Sequence, residues 1–149
     1  MALITYLTTI HFDHGALALL AGECRRLGIA RPLVVTDPGI GASALIEALR
    51  GALQGLPAEV FAETPANPSE AAVMTALARY RDARCDGVVA FGGGSSMDLG
   101  KAVALLATHA PPLAQYAMIE GGVARIGAHV APLVAIPTTA GTGSEVGRA

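Results

Sequence analysis

A chain of 149 residues can form one domain with a hydrophobic core. Its ten basic and twelve acidic residues are spread along the sequence and give a net charge of -2, which argues against nucleic acid or an anionic membrane as a partner. Hydrophobic residues make up 52% and charged residues 15%, so we expect another domain, or a second copy in a homo-oligomer, to cover part of the surface.

The N-terminal segment and the cysteines predict a cytoplasmic protein. No apolar run approaches the length of a membrane span, and the first residues lack a basic stretch followed by a long apolar core. Cys24 and Cys85 lack the CxxC spacing of a metal or redox pair, which predicts buried free thiols. Residues 3–12, LITYLTTIHF, are β-prone and predict a strand or a hairpin.

Helical stripes and short β-prone runs then alternate along the chain. A first helix is predicted to end at Gly28, and the third begins near Pro68 and Ser69. Strands are predicted at residues 32–36, 59–61, 87–91 and 132–136. The apolar stripes of the four helices are Leu17, Leu20, Cys24 and Leu27; Leu45, Leu49 and Leu53; Val73, Leu77 and Tyr80; and Leu99, Val103 and Leu106.

The strand composition predicts the fold class. Continuously apolar strands are typical of a parallel sheet with helices on both faces. With right-handed crossovers, the alternation predicts an α/β fold with a doubly wound, Rossmann-like open parallel sheet. Residues 108–132 lack a strong period and predict an irregular excursion with one short hairpin. No linker divides the sequence, so residues 1–149 are predicted to be a single domain.

Four loops are expected at the carboxyl edge of this sheet, where doubly wound folds bind ligands. In chain order they read TDPGIGA, AETPANPSE, GGGSSMD and PTTAGTGSE. In GGGSSMD, Gly93 and Gly94 let the backbone approach an anion at the start of a helix, which favours a phosphate site. The alternative is a tight turn with Ser95 as the N-cap and Asp98 complementing the helix dipole.

The PTTAGTGSE loop has the hydroxyls to surround a polar ligand, namely Thr138, Thr139, Thr142 and Ser144. The alternative is a solvent-exposed loop rich in turn-forming residues. At the end of the first sheet strand, Asp37 could accept hydrogen bonds from a ribose and repel a 2′-phosphate, which favours NAD over NADP. Equally, Asp37 could start a turn before Pro38 or cap the next helix.

Other polar residues give weaker signals. The histidines show no i, i+4 pair on a helix and no acidic cluster, so no metal site is predicted in this chain. They are His11, His14, His109 and His129. Asp98 and Lys101 lie three apart on a predicted helix and could form a surface pair.

The motifs GGGSSMDLGK and PTTAGTGSE, preceded by VVTDPG and ANPS, resemble those of the iron-containing (group III) alcohol dehydrogenases. The resemblance extends to the N-terminal IHFDHGALALLAGECRRLG, although Asp13 stands where that family usually has a glycine. It implies a dinucleotide-binding domain like that of dehydroquinate synthase, followed in the family by an all-helical domain.

The resemblance also implies roles for single residues. Asp37 would contact the adenosine ribose, and Asn67 would lie beside the cofactor. Gly93, Gly94 and Ser95 would hold the pyrophosphate, and Asp98 would approach the nicotinamide. In the last loop, Thr138, Thr139 and Thr142 would flank the phosphates and adenine, with Ser144 near the nicotinamide.

In the family, the metal ligands lie in the helical domain, whereas this sequence ends at SEVGRA. The resemblance therefore implies that NAD binds to this chain. It also implies that Fe²⁺ or Zn²⁺ and the small alcohol or aldehyde bind through the helical domain. The chain alone would then be inactive, with no catalytic residue of its own. Two alternatives stay open: a stand-alone nucleotide-binding module, and a relative of glycerol dehydrogenase or dehydroquinate synthase. The sequence does not identify the substrate.

Overall fold

The computed structural model describes residues 8–144. Its four strands are β1 (Pro32–Val35), β2 (Glu59–Phe61), β3 (Gly87–Gly92) and β4 (Leu133–Pro137). Its five α-helices are α1 (Leu20–Arg26), α2 (Pro38–Gly41), α3 (Ala44–Ala52), α4 (Glu70–Asp82) and α5 (Gly94–Leu106). The predicted alternation of strands and helices is confirmed, and α2 is an additional single turn after β1.

The strands form one parallel sheet in the order β2-β1-β3-β4. All neighbouring strands pair in parallel, and in the register of the sheet Val34 lies beside Val89 and Val89 beside Val134. The chain runs outward from β1 to β2 and then crosses back to β3 on the other side of β1. The carboxyl ends of β1 and β3 therefore form the topological switch point of the sheet.

Two hydrophobic clusters cover the two faces of the sheet. On one face, Leu33 and Val88 pack against residues of α4 and α5 such as Leu77 and Val103. On the other face, Val34 and Val89 pack with residues of α1 and α3, including Cys24 and Leu49. Because neighbouring strand residues point to opposite faces, both faces need apolar side chains. The predicted doubly wound α/β architecture is thereby confirmed.

Three local predictions are wrong. In α3, Ile46 is buried and Leu45 is exposed, because the buried face follows Ile46, Leu49 and Leu53. The first predicted helix is not one continuous α-helix, since residues 16–19 form a 3-10 turn before α1, although its predicted apolar stripe packs in a single hydrophobic cluster. The excursion contains 3-10 turns at 113–116, 118–120 and 122–125, and no hairpin within the described residues.

The N-terminal strand or hairpin predicted for residues 3–12 lies partly outside the described residues. Residues 8–12 contain no strand. Because only these five residues of the segment are described, the prediction is tested over its second half alone.

Both cysteines are buried free thiols, as predicted, on opposite faces of the sheet. Burial, with the nearby carboxylates of Glu59 and Asp86, raises the pKa of the Cys85 thiol from its ordinary value of 9.0 to about 11. Burial also raises the pKa of Cys24. Since the thiolate is the reactive form, both groups should be inert in the folded chain.

We therefore expect a disulfide reagent such as DTNB to label neither cysteine at neutral pH until guanidinium chloride unfolds the chain. As the pH rises from 9.0 toward about 11, unfolded Cys85 loses its proton before the folded thiol does. The free energy of unfolding should therefore fall across that window. In the Cys24→Ala variant, labelling and the pH dependence of stability both report on the Cys85 thiol. Labelling of native Cys85 as fast as that of a free thiol would contradict the expectation.

Candidate functional site

A cleft of about 420 Å³ opens at the carboxyl edge of the sheet, at the switch point between β1 and β3. Each of the four loops predicted to meet there contributes to its wall. The lining residues are Asp37 and Ile40; Thr64, Pro65 and Ala66; Gly93, Gly94, Ser95 and Ser96; and Thr138 and Thr139. We call this site the carboxyl-edge cleft. A smaller cavity of about 190 Å³, lined mainly by apolar residues, lies against α3 and away from these loops.

The glycine loop turns directly from β3 into α5. Gly92 has φ +156, and a Cβ there would lie 2.5 Å from the Ser96 Oγ, so the turn requires glycine. Gly93 is the N-cap and has extended backbone angles, and α5 begins at Gly94. The predicted N-cap role of Ser95 is therefore wrong, because the chain enters the helix two residues earlier and Ser95 lies within its first turn.

The start of α5 presents donors to the carboxyl-edge cleft. The helical hydrogen bond from the Met97 N–H reaches the Gly93 carbonyl at 3.2 Å, so the N–H groups of residues 94–96 precede the helical ladder. Gly94, Ser95 and Ser96 all line the cleft. N–H groups at a helix start, with the positive end of the helix dipole, favour an anion at this position.

Asp37 both caps a helix and lines the carboxyl-edge cleft. Its Oδ1 accepts a hydrogen bond from the Ile40 N–H at 3.0 Å, which confirms the capping interpretation. Its Oδ2 lies 3.4 Å from the position that a Cβ would take at Gly92. Asn67 has φ +51, and its N–H donates to the Ser95 Oγ at 3.3 Å, so it lies beside the glycine loop.

The last loop packs over the start of α5. Its first contact is the Thr138 N–H, which donates to the Gly92 carbonyl at 2.9 Å. A Cβ at Gly94 would lie 3.1 Å from the Ser144 Oγ and 3.3 Å from the Thr142 Cβ. Lys101 donates to the Ser144 carbonyl and lies 3.8 Å from the Asp98 Oδ1. The predicted surface pair of Asp98 and Lys101 is thus present, and Asp98 lies beyond the first turn of α5.

The structure brings the ten predicted site residues into one neighbourhood. Six of them line the carboxyl-edge cleft: Asp37, Gly93, Gly94, Ser95, Thr138 and Thr139. Asn67, Thr142 and Ser144 lie next to these through the contacts above, whereas Asp98 lies further along α5 and contacts Lys101. What each residue does with a ligand stays a prediction.

Sequence reasoning missed Thr64, although the loop that contains it was singled out. Thr64 is 2% exposed and lines the cleft, and its N–H donates to the Thr36 carbonyl at 3.2 Å. The hydroxyls of Thr64 and Thr36 are both buried without a hydrogen-bond partner among residues 8–144. A lone threonine in a loop gives no such signal in the sequence, because its burial depends on the fold of the neighbouring loops.

Neither a metal site nor a membrane-spanning helix is found among residues 8–144. No three His, Cys, Asp or Glu side chains come together there as a metal site. No helix within residues 8–144 has the length and apolarity needed to cross a membrane.

The fold is that of a doubly wound α/β domain, a class in which ligands bind at the switch point of the sheet, and the carboxyl-edge cleft lies at that point. The family model described as "Iron-containing alcohol dehydrogenase" matches residues 8–149, and the chain belongs to that family. It is 59% identical to 4-hydroxybutyrate dehydrogenase of Cupriavidus necator over 148 residues, which cover 99% of this chain and 39% of that protein.

Solved structures agree with this assignment. A 1,3-propanediol oxidoreductase matches 90% of this chain and 35% of its own, with a TM-score of 0.78 and 35% identity. A sulfoacetaldehyde reductase from Bifidobacterium kashiwanohense, solved in complex with NAD+, matches 89% of this chain and 34% of its own, with a TM-score of 0.76 and 32% identity. The chain thus spans between a third and two fifths of the length of these relatives.

Proposed function

We propose that this chain is the dinucleotide-binding part of an NAD-dependent alcohol dehydrogenase, which transfers hydride between a small alcohol and NAD. The observation that carries the proposal is the convergence of four loops on one cleft at the switch point. Glycines, hydroxyls and helical N–H groups line that cleft, and its volume of about 420 Å³ lies within the ordinary range of small-molecule sites.

The residues of the cleft suit the parts of a dinucleotide. The pyrophosphate would lie at the start of α5, where Gly93 leaves the backbone open and the N–H groups of residues 94–96 donate. Thr138 and Thr139 would add hydroxyls to the phosphates from the opposite wall. Asp37 would accept hydrogen bonds from the adenosine ribose while still capping α2.

The chemistry of the reaction would be divided between this chain and the rest of the protein. NAD supplies the hydride acceptor when it is bound. The family resemblance assigns the metal ligands to the other domain and none to this chain. We place Fe²⁺ or Zn²⁺ and the alcohol in the helical domain that the family resemblance implies. The identity of 59% to 4-hydroxybutyrate dehydrogenase makes 4-hydroxybutyrate the first substrate to test in a protein that carries both domains.

Calorimetric titration of the chain with NAD and NADP tests the proposal. NAD should bind about tenfold or more tightly than NADP, because the Asp37 carboxylate disfavours a 2′-phosphate. Asp37→Asn should narrow this ratio and leave the fold intact, since Asn also caps helices well. Equal affinity of the wild type for both cofactors would contradict the role of Asp37, and failure to bind either would contradict the proposed function.

A further inference from the structure

We propose that Thr64 is a further cofactor contact, whose hydroxyl donates a hydrogen bond to the adenosine ribose beside Asp37. The inference rests on the proposed function, since it assumes that a dinucleotide occupies the carboxyl-edge cleft. Neither the sequence motifs nor the family resemblance assigns Thr64 a role.

The position of Thr64 is fixed by the backbone. The chain leaves β2 at Phe61 and folds back over the end of β1, where the Thr64 N–H donates to the Thr36 carbonyl at 3.2 Å. This bond holds Thr64 next to the residue that precedes Asp37. Thr64 and Asp37 then line the same cleft, together with Ile40 and the glycine loop.

The hydroxyl of Thr64 has no hydrogen-bond partner among residues 8–144. Its Oγ is buried and makes no hydrogen bond to any residue in the range 8–144. Its neighbours in the cleft wall, Pro65 and Ala66, have no polar side-chain atoms. A buried hydroxyl without a partner is costly, and most such groups in proteins are paired. Because Thr64 lines the cleft, a ligand bound there would supply such a partner once the hydroxyl turns toward it.

Hydrogen-bond chemistry selects the ribose as that group. The Asp37 carboxylate only accepts hydrogen bonds, and its Oδ1 already accepts one from Ile40. A ribose hydroxyl that donates to Asp37 still has an oxygen able to accept. The Thr64 hydroxyl can donate to that oxygen after a rotation about χ1 to another staggered position. Asp37 would then accept a hydrogen bond from the ribose hydroxyl, and Thr64 would donate one to its oxygen.

Two matched substitutions test the inference. Thr64→Val and Thr36→Val each remove a buried, unpartnered hydroxyl and keep the shape of the side chain, but only Thr64 lines the cleft. We expect Thr64→Val to weaken the binding of NAD and of AMP about five- to tenfold. Binding of both probes to Thr36→Val and to Thr64→Ser should stay within about twofold of the wild type. Nicotinamide mononucleotide, which lacks the adenosine, should bind Thr64→Val and the wild type equally.

Urea unfolding of each variant separates binding from folding. Thr64→Val and Thr36→Val should be at least as stable as the wild type, because each loses an unsatisfied buried group. Thr64→Ala provides a second variant if valine prevents folding. Unchanged affinity of Thr64→Val for NAD and AMP, or an equal loss in Thr36→Val, would overturn the role of Thr64 alone. A wild-type chain that binds none of these probes would overturn the proposed function as well.

Discussion

Gly93→Val is expected to weaken NAD binding about 10- to 100-fold while the chain remains folded. Gly93 has φ -78 and ψ -169, which any residue can adopt, and a Cβ there meets no atom closer than the Thr139 Oγ at 3.5 Å. The added Cβ therefore fits in the free protein, and Gly93 and Thr139 both line the carboxyl-edge cleft. The valine would occupy the volume that the proposed pyrophosphate needs. Calorimetry measures the change in affinity.

A glycine on the surface provides the control for this substitution. Gly22 lies on the exposed side of α1, and a Cβ there meets nothing within 4 Å. Gly22→Val should bind NAD as the wild type does, and Gly93→Ala should fall between the wild type and Gly93→Val. Urea unfolding checks that Gly93→Val keeps its stability. Equal NAD affinity in the wild type and Gly93→Val would show that the glycine loop is not the phosphate site.

Glycine stands at each of the three positions of this loop for a different physical reason. Gly92 is required by its backbone angle and by the nearby Ser96 side chain. A Cβ at Gly93 would make only an ordinary contact with the Thr139 Oγ at 3.5 Å, so no clash within the chain requires glycine there, and we attribute this glycine to the proposed ligand. Gly94 lets the last loop approach, since its Cβ position lies 3.1 Å from the Ser144 Oγ. The sequence left a tight turn and a phosphate site as alternatives. The structure assigns the turn to Gly92, and the phosphate site at Gly93 stays a prediction.

Local sequence signals predicted a helix well where its N-cap residue and its apolar stripe indicated the same start. Ser69 caps α4 through the Ala72 N–H, as its position before the third helix suggested. The prediction that Leu45 is buried failed because Leu45 and Ile46 both fit a helical period with Leu49 and Leu53. Only the packing of α3 against the sheet decides which of them is buried. The single turn of α2 is too short to produce a periodic pattern.

The strand order could not be read from the sequence. All four strands are short and apolar, so their composition is compatible with several orders in a parallel sheet. The order β2-β1-β3-β4 places Asp37 beside the glycine loop, although more than fifty residues separate them in the chain. The motifs thus indicated which loops form the cleft, and the pairing of β1 with β3 determined which of their residues share a wall.

The close contact between α5 and β3 predicts a large loss of stability on substitution of Gly100. A Cβ at Gly100 would lie 2.7 Å from the Ala90 Cβ, in the middle of a buried strand that cannot move aside. Gly100→Val is therefore expected to destabilise the chain by about 3 kcal/mol and to lower its melting temperature by roughly 10 °C. Gly51→Val, in α3 with nothing within 4 Å, should be neutral or slightly stabilising, because glycine is a poor helix former.

The close contact at Gly100 also matters for the cleft. The helix that begins at Gly94 directs its first N–H groups into the cleft only while its axis stays near β3. Moving α5 outward to accommodate valine would displace these donors. Gly100→Val should therefore bind NAD more weakly than Gly51→Val under conditions in which urea titration shows both to be folded. Equal affinity in the two folded variants would indicate that the donors at the start of α5 do not depend on this packing.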